Sequence, residues 1–290
     1  MLNRQKIILQ LLKEAGGSAS RLQLVKWAFL FAKETPSGSG SAFYEFVPYY
    51  YGPFSFSLSR EMDDLLRNGM LQAQEGRVWK LTEVGVQYKG LLEDSARQDV
   101  SFIITRYGQT PVSELVESIY KRYPWFTVNS KNVEKRRQAR PRAKPAVYTI
   151  GYEGLPLDGF LNALVQHGIQ CLVDVRNNPI SRRYGFHKNT LSRLCKKLSI
   201  EYHHIPELGI PSSQREDLRT ADDYKQLFIR YRRETLLTQT LSLKIASALL
   251  AGKPSALLCM EANPASCHRS HLAVELSKYS GLPVQHLAVS

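Results

Sequence analysis

Apolar residues in the first third of the chain recur at the spacing of one helix face. Ile7, Ile8, Leu11 and Leu12 predict a helix that Gly16 and Gly17 bring to an end. Leu22, Leu24, Val25, Ala28, Phe29 and Phe31 predict a second helix, with Ser20 as its N-cap. Beyond the loop TPSGSGS come a short aromatic segment, a Gly-Pro turn and a helix from about Ser57 to Asn68, stopped by Gly69. Two short strands about Glu75 and Gly76 and a helix from near Thr82 follow. More helix runs from about Val100 to Trp125, with Thr110 as a cap and Pro111 as a first helical position.

The second half changes period. AVYTIGY, QCLVDVR, EYHHIPEL, SALLCMEA and PVQHLAV are strand-like, and helical patterns separate them, with Gly168 and Gly281 among the stops. Strand and helix in alternation predict an α/β fold: a mostly parallel sheet with helices on both faces. Helices, a small hairpin and a closing helix ahead of it have the order of a winged helix. Between the halves, Ser130 to Pro145 carries seven basic residues and one acid with almost no apolar content. It is expected to be a linker, or a basic strap along a phosphate backbone. The expected division is residues 1–97 as a winged-helix-like domain, 98–145 as helical connector and basic linker, and 146–290 as the α/β domain.

Charge adds a partner class. Thirty-nine Lys and Arg against 26 Asp and Glu leave a formal charge of +13, which favours a polyanion, nucleic acid before membrane. No stretch approaches the length of a membrane span, and the charged amphipathic start is unlike a secretory leader. Cys171, Cys195, Cys259 and Cys267 are too few for a disulfide scaffold and form no Cys-x-x-Cys pair. A reduced, cytoplasmic protein is expected.

In a parallel α/β sheet the ligand sits beyond the carboxyl ends of the strands. Tyr152 and Glu153 follow the first strand. Asp174 and Arg176 follow the second, with Arg182, Arg183, His187 and Lys188 close behind. Glu207 follows the third, and Glu261 the fourth, ahead of Cys267, His268 and Arg269. Ser266 is placed to cap a helix whose first turn holds Cys267, where backbone N–H groups and the helix dipole would depress its pKa. A phosphatase loop needs an arginine six places after the cysteine, and residue 273 is alanine. Neither Cys259 nor Cys267 suits a rhodanese-type loop. Cys267 and His271 share a helix face at i, i+4, but two further ligands at convincing spacing are lacking, so no metal or cofactor is expected.

YYYGPFSFSLSREMDDLLRNGML resembles the antitoxin SocA-like (Panacea) domain, a likeness covering roughly residues 4–95 and implying a DNA- or protein-binding accessory module. YTIGYEG, LVDVRNNPISRRYGFHK, YHHIPELG and LLCMEANPASCHR, in this order, resemble the domain of unknown function 488 family over about residues 146–279. That resemblance implies a Rossmann-like fold and a polar pocket built from Glu153, Asp174, Arg176, Arg183, Glu207, Glu261, Cys267, His268 and Arg269.

Carboxylates beside an anion clamp suit a nucleotide or nucleic-acid sugar. The favoured expectation is therefore an enzyme on nucleic acid or a nucleotide, hydrolysing or transferring at a glycosidic or phosphate-linked centre. Glu261, Glu207, Asp174 and Cys267 are its catalytic candidates. Tyr152, Glu153, Arg176, Arg183, His187, Lys188, His268 and Arg269 are candidates for substrate or anion binding. The alternative is a DNA-binding regulator whose α/β domain senses a nucleotide-like ligand without turnover. Thiol-based transfer at Cys267 is the less favoured third.

Overall fold

The computed structural model describes residues 1–40, 42–215 and 218–288, and the chain forms two compact units, Met1–Ala139 and Arg140–Ser290. The first contains α1 (Asn3–Glu14), β1 (Ser18–Ser20), α2 (Arg21–Glu34), β2 (Val47–Tyr49), β3 (Gly52–Phe54) and α3 (Phe56–Arg67). It continues with β4 (Leu71–Gln74), β5 (Val78–Leu81), α4 (Glu83–Gln87), α5 (Asp94–Tyr107) and α6 (Val112–Arg122). Side-chain caps set several of these starts. Ser20 Oγ accepts from Gln23 N and Ser55 Oγ from Leu58 N, both at 3.1 Å, and Thr82 Oγ1 accepts from Gly85 N.

The apolar stripe Ile7, Ile8, Leu11 and Leu12 is buried against α2 and against Val100 and Ile103 of α5. β1, β5 and β4 form a three-stranded antiparallel sheet in that order. β2 and β3 make a separate hairpin whose Gly52 has φ of 87°. A Cβ there would stand 2.8 Å from the Tyr120 ring, so this Gly-Pro turn needs its glycine on two grounds. One expected cap shifts: Pro111, rather than Thr110, occupies the N-cap position of α6, and Val112 is the first helical residue.

The basic segment does not run free over its whole length. Arg137 N donates to Thr127 Oγ1, while Arg137 and Lys135 both pair with Glu117. Farther on, Arg140 donates to Leu198 O at 2.6 Å.

The second unit comprises β6 (Val147–Gly151), α7 (Leu157–Gln166), β7 (Cys171–Asp174), α8 (Lys188–Lys197), β8 (Glu201–His204) and α9 (Ala221–Arg230). Then come α10 (Thr240–Gly252), β9 (Ser255–Cys259), α11 (His268–Ser280) and β10 (Val284–His286). Its five strands form one parallel sheet in the order β10-β6-β9-β7-β8, flanked by helices. β6, β7 and β9 are buried along their whole length, as central parallel strands should be. β9 lies between β6 and β7, pairing Gly151 with Cys259 and Asp174 with Leu258, so three strand ends meet at one point. After α9 the chain continues as a π-helical turn, Tyr231–Leu236. Among the described residues no helix is long and apolar enough to cross a membrane.

Candidate functional site

The strand ends carry two distinct constellations. The first is closed. Asp174 is fully buried, and its carboxylate accepts from Arg176 Nε at 2.8 Å, from the Arg176 backbone N at 3.1 Å and from the Tyr202 hydroxyl. Arg176 Nη2 also donates to Asp174 Oδ2 at 2.5 Å, and Nη1 reaches Phe186 O at 2.9 Å and the Tyr152 hydroxyl at 3.2 Å, while Tyr152 stacks on Phe186. Arg176 is held as the cation by Asp174 and Tyr152 against its burial, and burial with the Asp174 charge pushes the Tyr202 phenol up. Every charge here has a buried partner, which is how two ions are kept out of water at tolerable cost.

The neighbouring loops are tied to each other. Glu153 Oε2 accepts from Ala262 N at 2.9 Å, and Arg183 donates to Tyr152 O at 3.1 Å and to Leu155 O. Arg269 is 2% exposed and spans from Thr149 Oγ1 at 3.4 Å to the carbonyls of Glu261 and Ala262, the latter at 2.9 Å. Its guanidinium holds the β9–α11 loop from inside. Gly151 makes the close approach possible: a Cβ on it would lie 1.9 Å from Glu261 O. Of the remaining candidates, Glu207 is exposed on a short 3-10 turn, and His187 and Lys188 are exposed at the start of α8.

The second constellation gathers thiols, an imidazole and a carboxylate at the end of β9. β9 ends at Cys259. The chain turns through Glu261 and a 3-10 turn at Pro264–Ser266, then enters α11 at His268. Cys267 is therefore the N-cap residue in extended conformation (φ −135°, ψ 138°), not part of the first helical turn, and Ser266 does not cap the helix. The consequence is a different set of neighbours from the one the spacing suggested. His271 packs on the Phe228 ring, whereas His268 turns inward to Cys259 and Cys267. All three of these residues are buried, and their sulfur and ring-nitrogen atoms lie within 4.8 Å of one another.

Glu261 completes the group. Its Oε2 lies 2.9 Å from Cys267 Sγ and 3.1 Å from Cys259 Sγ. The His268 Nε2–H is directed at Val175 O (3.2 Å), and Nδ1 faces Cys259 Sγ at 3.6 Å. Arg215 stands over the cluster, 3.5 Å from Glu261 Oε1 and 3.4 Å from His268 Nδ1. The Glu261 and Arg215 side chains keep 26% and 33% of their surface exposed, whereas Cys259, Cys267 and His268 are buried.

Thiol acidity is the reverse of the expectation. Burial, then the hydrogen bond and charge of Cys259 and the charge of Glu261, push the Cys267 thiol up. Hydrogen bonding from Cys267, with help from His268 and despite burial, holds Cys259 well below the usual thiol range. The helix dipole at Cys267 is outweighed first by burial and then by its anionic neighbours. Burial, followed by the Cys259 charge, raises Glu261.

Arg215 and Cys259 had been left out of the candidate set. Cys259 sits in an apolar run that looks like plain strand core; being the last strand residue was its only signal. Arg215 lies in a segment without hydrophobic period.

Residues 156–276 match a family model described as Domain of unknown function DUF488. The match runs from just before α7 into α11 and takes in Asp174, Arg176, Glu207 and the whole Cys259–His268 cluster. No curated protein and no solved structure matches the chain.

Proposed function

We propose that the second unit is an enzyme acting on a nucleotide or nucleic acid, hydrolysing or transferring at a glycosidic or phosphate-linked centre, and that Glu261 is its acid–base group. The observation that carries this reading is the partly open Glu261 carboxylate at the end of a central parallel strand, ringed by two thiols, an imidazole and a guanidinium. A carboxylate half-withdrawn from water is suited to proton transfer. Arg215, the cation facing it from the solvent side, is placed to meet an anionic group of a substrate. Arg183 and Lys188, on the loop and helix after β7, supply further positive charge at the same sheet edge, with His187 beside them. Asp174, Arg176 and Arg269 shape the site from within, since their polar atoms are spent on protein partners.

The first unit is read as the module that brings the enzyme to DNA. Its order, α1-β1-α2 and then α3-β4-β5 with a β1-β5-β4 sheet, supports the winged-helix reading. The formal charge of +13 favours a polyanionic partner.

The test is to give DNA and nucleotides to the purified full chain and follow base release, strand scission and phosphate release. Glu261→Gln should abolish product formation while DNA binding persists. Wild-type rates in that variant would remove Glu261 from the chemistry. A wild-type protein that binds DNA but forms no product would favour a ligand-sensing regulator.

A further inference from the structure

We propose that Cys259, Cys267 and His268 form a three-ligand site for a divalent transition metal, zinc being the best match, with Glu261 beside its open fourth position. Metal binding stands without the enzymatic reading above; only the role given to Glu261 rests on it.

Two chain segments deliver the donors: Cys259 is the last residue of a buried strand, and Cys267 and His268 are the N-cap and first residue of a helix. In a tetrahedral site with metal–sulfur bonds of about 2.3 Å and metal–nitrogen bonds of about 2.0 Å, neighbouring ligand atoms stand about 3.5–3.8 Å apart. Cys259 Sγ and His268 Nδ1 are 3.6 Å apart, and the three donor atoms all fall within 4.8 Å of one another. Two thiolates and one imidazole are the soft donor set that selects zinc over magnesium or calcium.

The surroundings are those of a metal ligand set rather than of an inert core. The Val175 carbonyl accepts the hydrogen bond from His268 Nε2–H, which fixes the tautomer that offers Nδ1 inward, as outer-shell partners of metal-bound histidines do. Tyr231 packs edge-on to the same ring and anchors itself on Leu208 O, locking the imidazole from a second side. Charges also close. A divalent cation neutralises the two thiolates, and Arg215 faces the carboxylate of Glu261 at 3.5 Å. Without a cation, the same cluster could hold two thiolates in a buried place only at a cost of several kcal/mol.

Glu261 Oε2, within 3.1 Å of both sulfurs, lies next to where a fourth ligand would enter. There it would accept a proton from metal-bound water. The hydroxide so formed attacks the electrophilic centre of the substrate, the bond to the leaving group breaks, and Glu261 returns the proton to that group. Water is consumed and no oxidant or reductant is needed.

Metal content of the full chain, purified without chelator and then reconstituted with Zn2+ or Co2+, tests the proposal. The expectation is about one equivalent per chain, with a thiolate-to-cobalt charge-transfer band in the Co2+ form. Cys259→Ser and Cys267→Ser should each remove that band, and His268→Ala should weaken binding by more than the about 10–100-fold typical of an outer-shell loss. Glu261→Gln should retain the metal, and Cys195→Ser serves as the control that keeps both metal and band. Substoichiometric metal after reconstitution of the wild type, cobalt bound without a charge-transfer band, or a band that survives both cysteine substitutions would overturn it. The first two readouts need no variant, so a misfolded mutant does not shield the proposal. Metal without turnover would sink the enzymatic reading alone, and turnover by metal-free protein would sink this one alone.

Discussion

Lys26 offers a quantitative check on the packing of the first unit. It is 1% exposed in the middle of α2, its ammonium donates to Pro53 O at 2.8 Å, and no carboxylate among the described residues pairs with it. Burial alone pushes its pKa down from 10.5 to about 7. A lysine with a depressed folded pKa is a base that the unfolded chain protonates more readily. Below pH 7 both states carry the proton and folding bears the whole penalty. As pH rises from 7 towards 10.5 the folded lysine is neutral while the unfolded one stays charged, and the penalty falls away. At about 1.36 kcal/mol per unit, a drop of about 3.5 units corresponds to about 5 kcal/mol at low pH, leaving about 2 kcal/mol by pH 9. Lys26→Met removes the charge at similar volume and also loses one hydrogen bond, a pH-independent cost of about 1–3 kcal/mol. The variant should therefore gain stability relative to wild type by about 2.5 kcal/mol more at pH 6.5 than at pH 9. Urea unfolding followed by tryptophan fluorescence measures this cleanly, because Trp27, Trp79 and Trp125 all lie in the first unit. A mutant-minus-wild-type difference that is the same at both pH values would refute a neutral folded lysine. A difference of opposite sign would mean that the fold stabilises the cation.

Three further outcomes follow from contacts already described. Asp174→Asn leaves the buried Arg176 guanidinium without its counter-ion and should cost about 3–5 kcal/mol, measured as a loss of thermal stability by circular dichroism. Gly151→Ala drives a Cβ into the Glu261 carbonyl, so it should displace the β9–α11 loop and lower both metal occupancy and turnover; unchanged values would mean that the loop position is unimportant. DNA binding by the full chain should weaken steeply between low and moderate salt, and a flat salt dependence in a filter or anisotropy titration would contradict the polyanion reading.

What could be foreseen from the residues followed from local physics. The i, i+3, i+4 stripe of α1 and the hydroxyl caps Ser20 and Thr82 act through neighbours a few positions away, so their elements are visible in one stretch of chain. The parallel sheet follows from strand and helix in alternation, and it directs attention to the strand ends, where Tyr152, Asp174, Arg176 and Glu261 do gather. What could not be foreseen is how each gathered group is employed. A strand-end arginine can hold a phosphate or a carbonyl, and only the folded chain shows Arg269 spent on Glu261 O and Ala262 O. Partner choice across the sheet has no local signature.

The position of Cys267 shows how small a shift decides the chemistry. Placed in the first helical turn, it would share a face with His271 and feel the helix dipole. Set one position earlier, as an extended N-cap, its side chain leaves the helix face and falls towards the end of β9. There it meets Cys259 and Glu261, and the residue one place on, His268, becomes the inward imidazole while His271 turns to Phe228. Helix ends are where sequence patterns are least binding, because no hydrophobic period constrains the cap residue. The same end is where a parallel sheet places its ligand. The least legible residue of the second unit is thus also the one on which its donor set depends, and the crossover that sets β9 between β6 and β7 brings that donor set beside Gly151. Glycine at 151 admits the Glu261 carbonyl, Arg269 ties that carbonyl down, and the carboxylate is thereby aimed over both sulfurs.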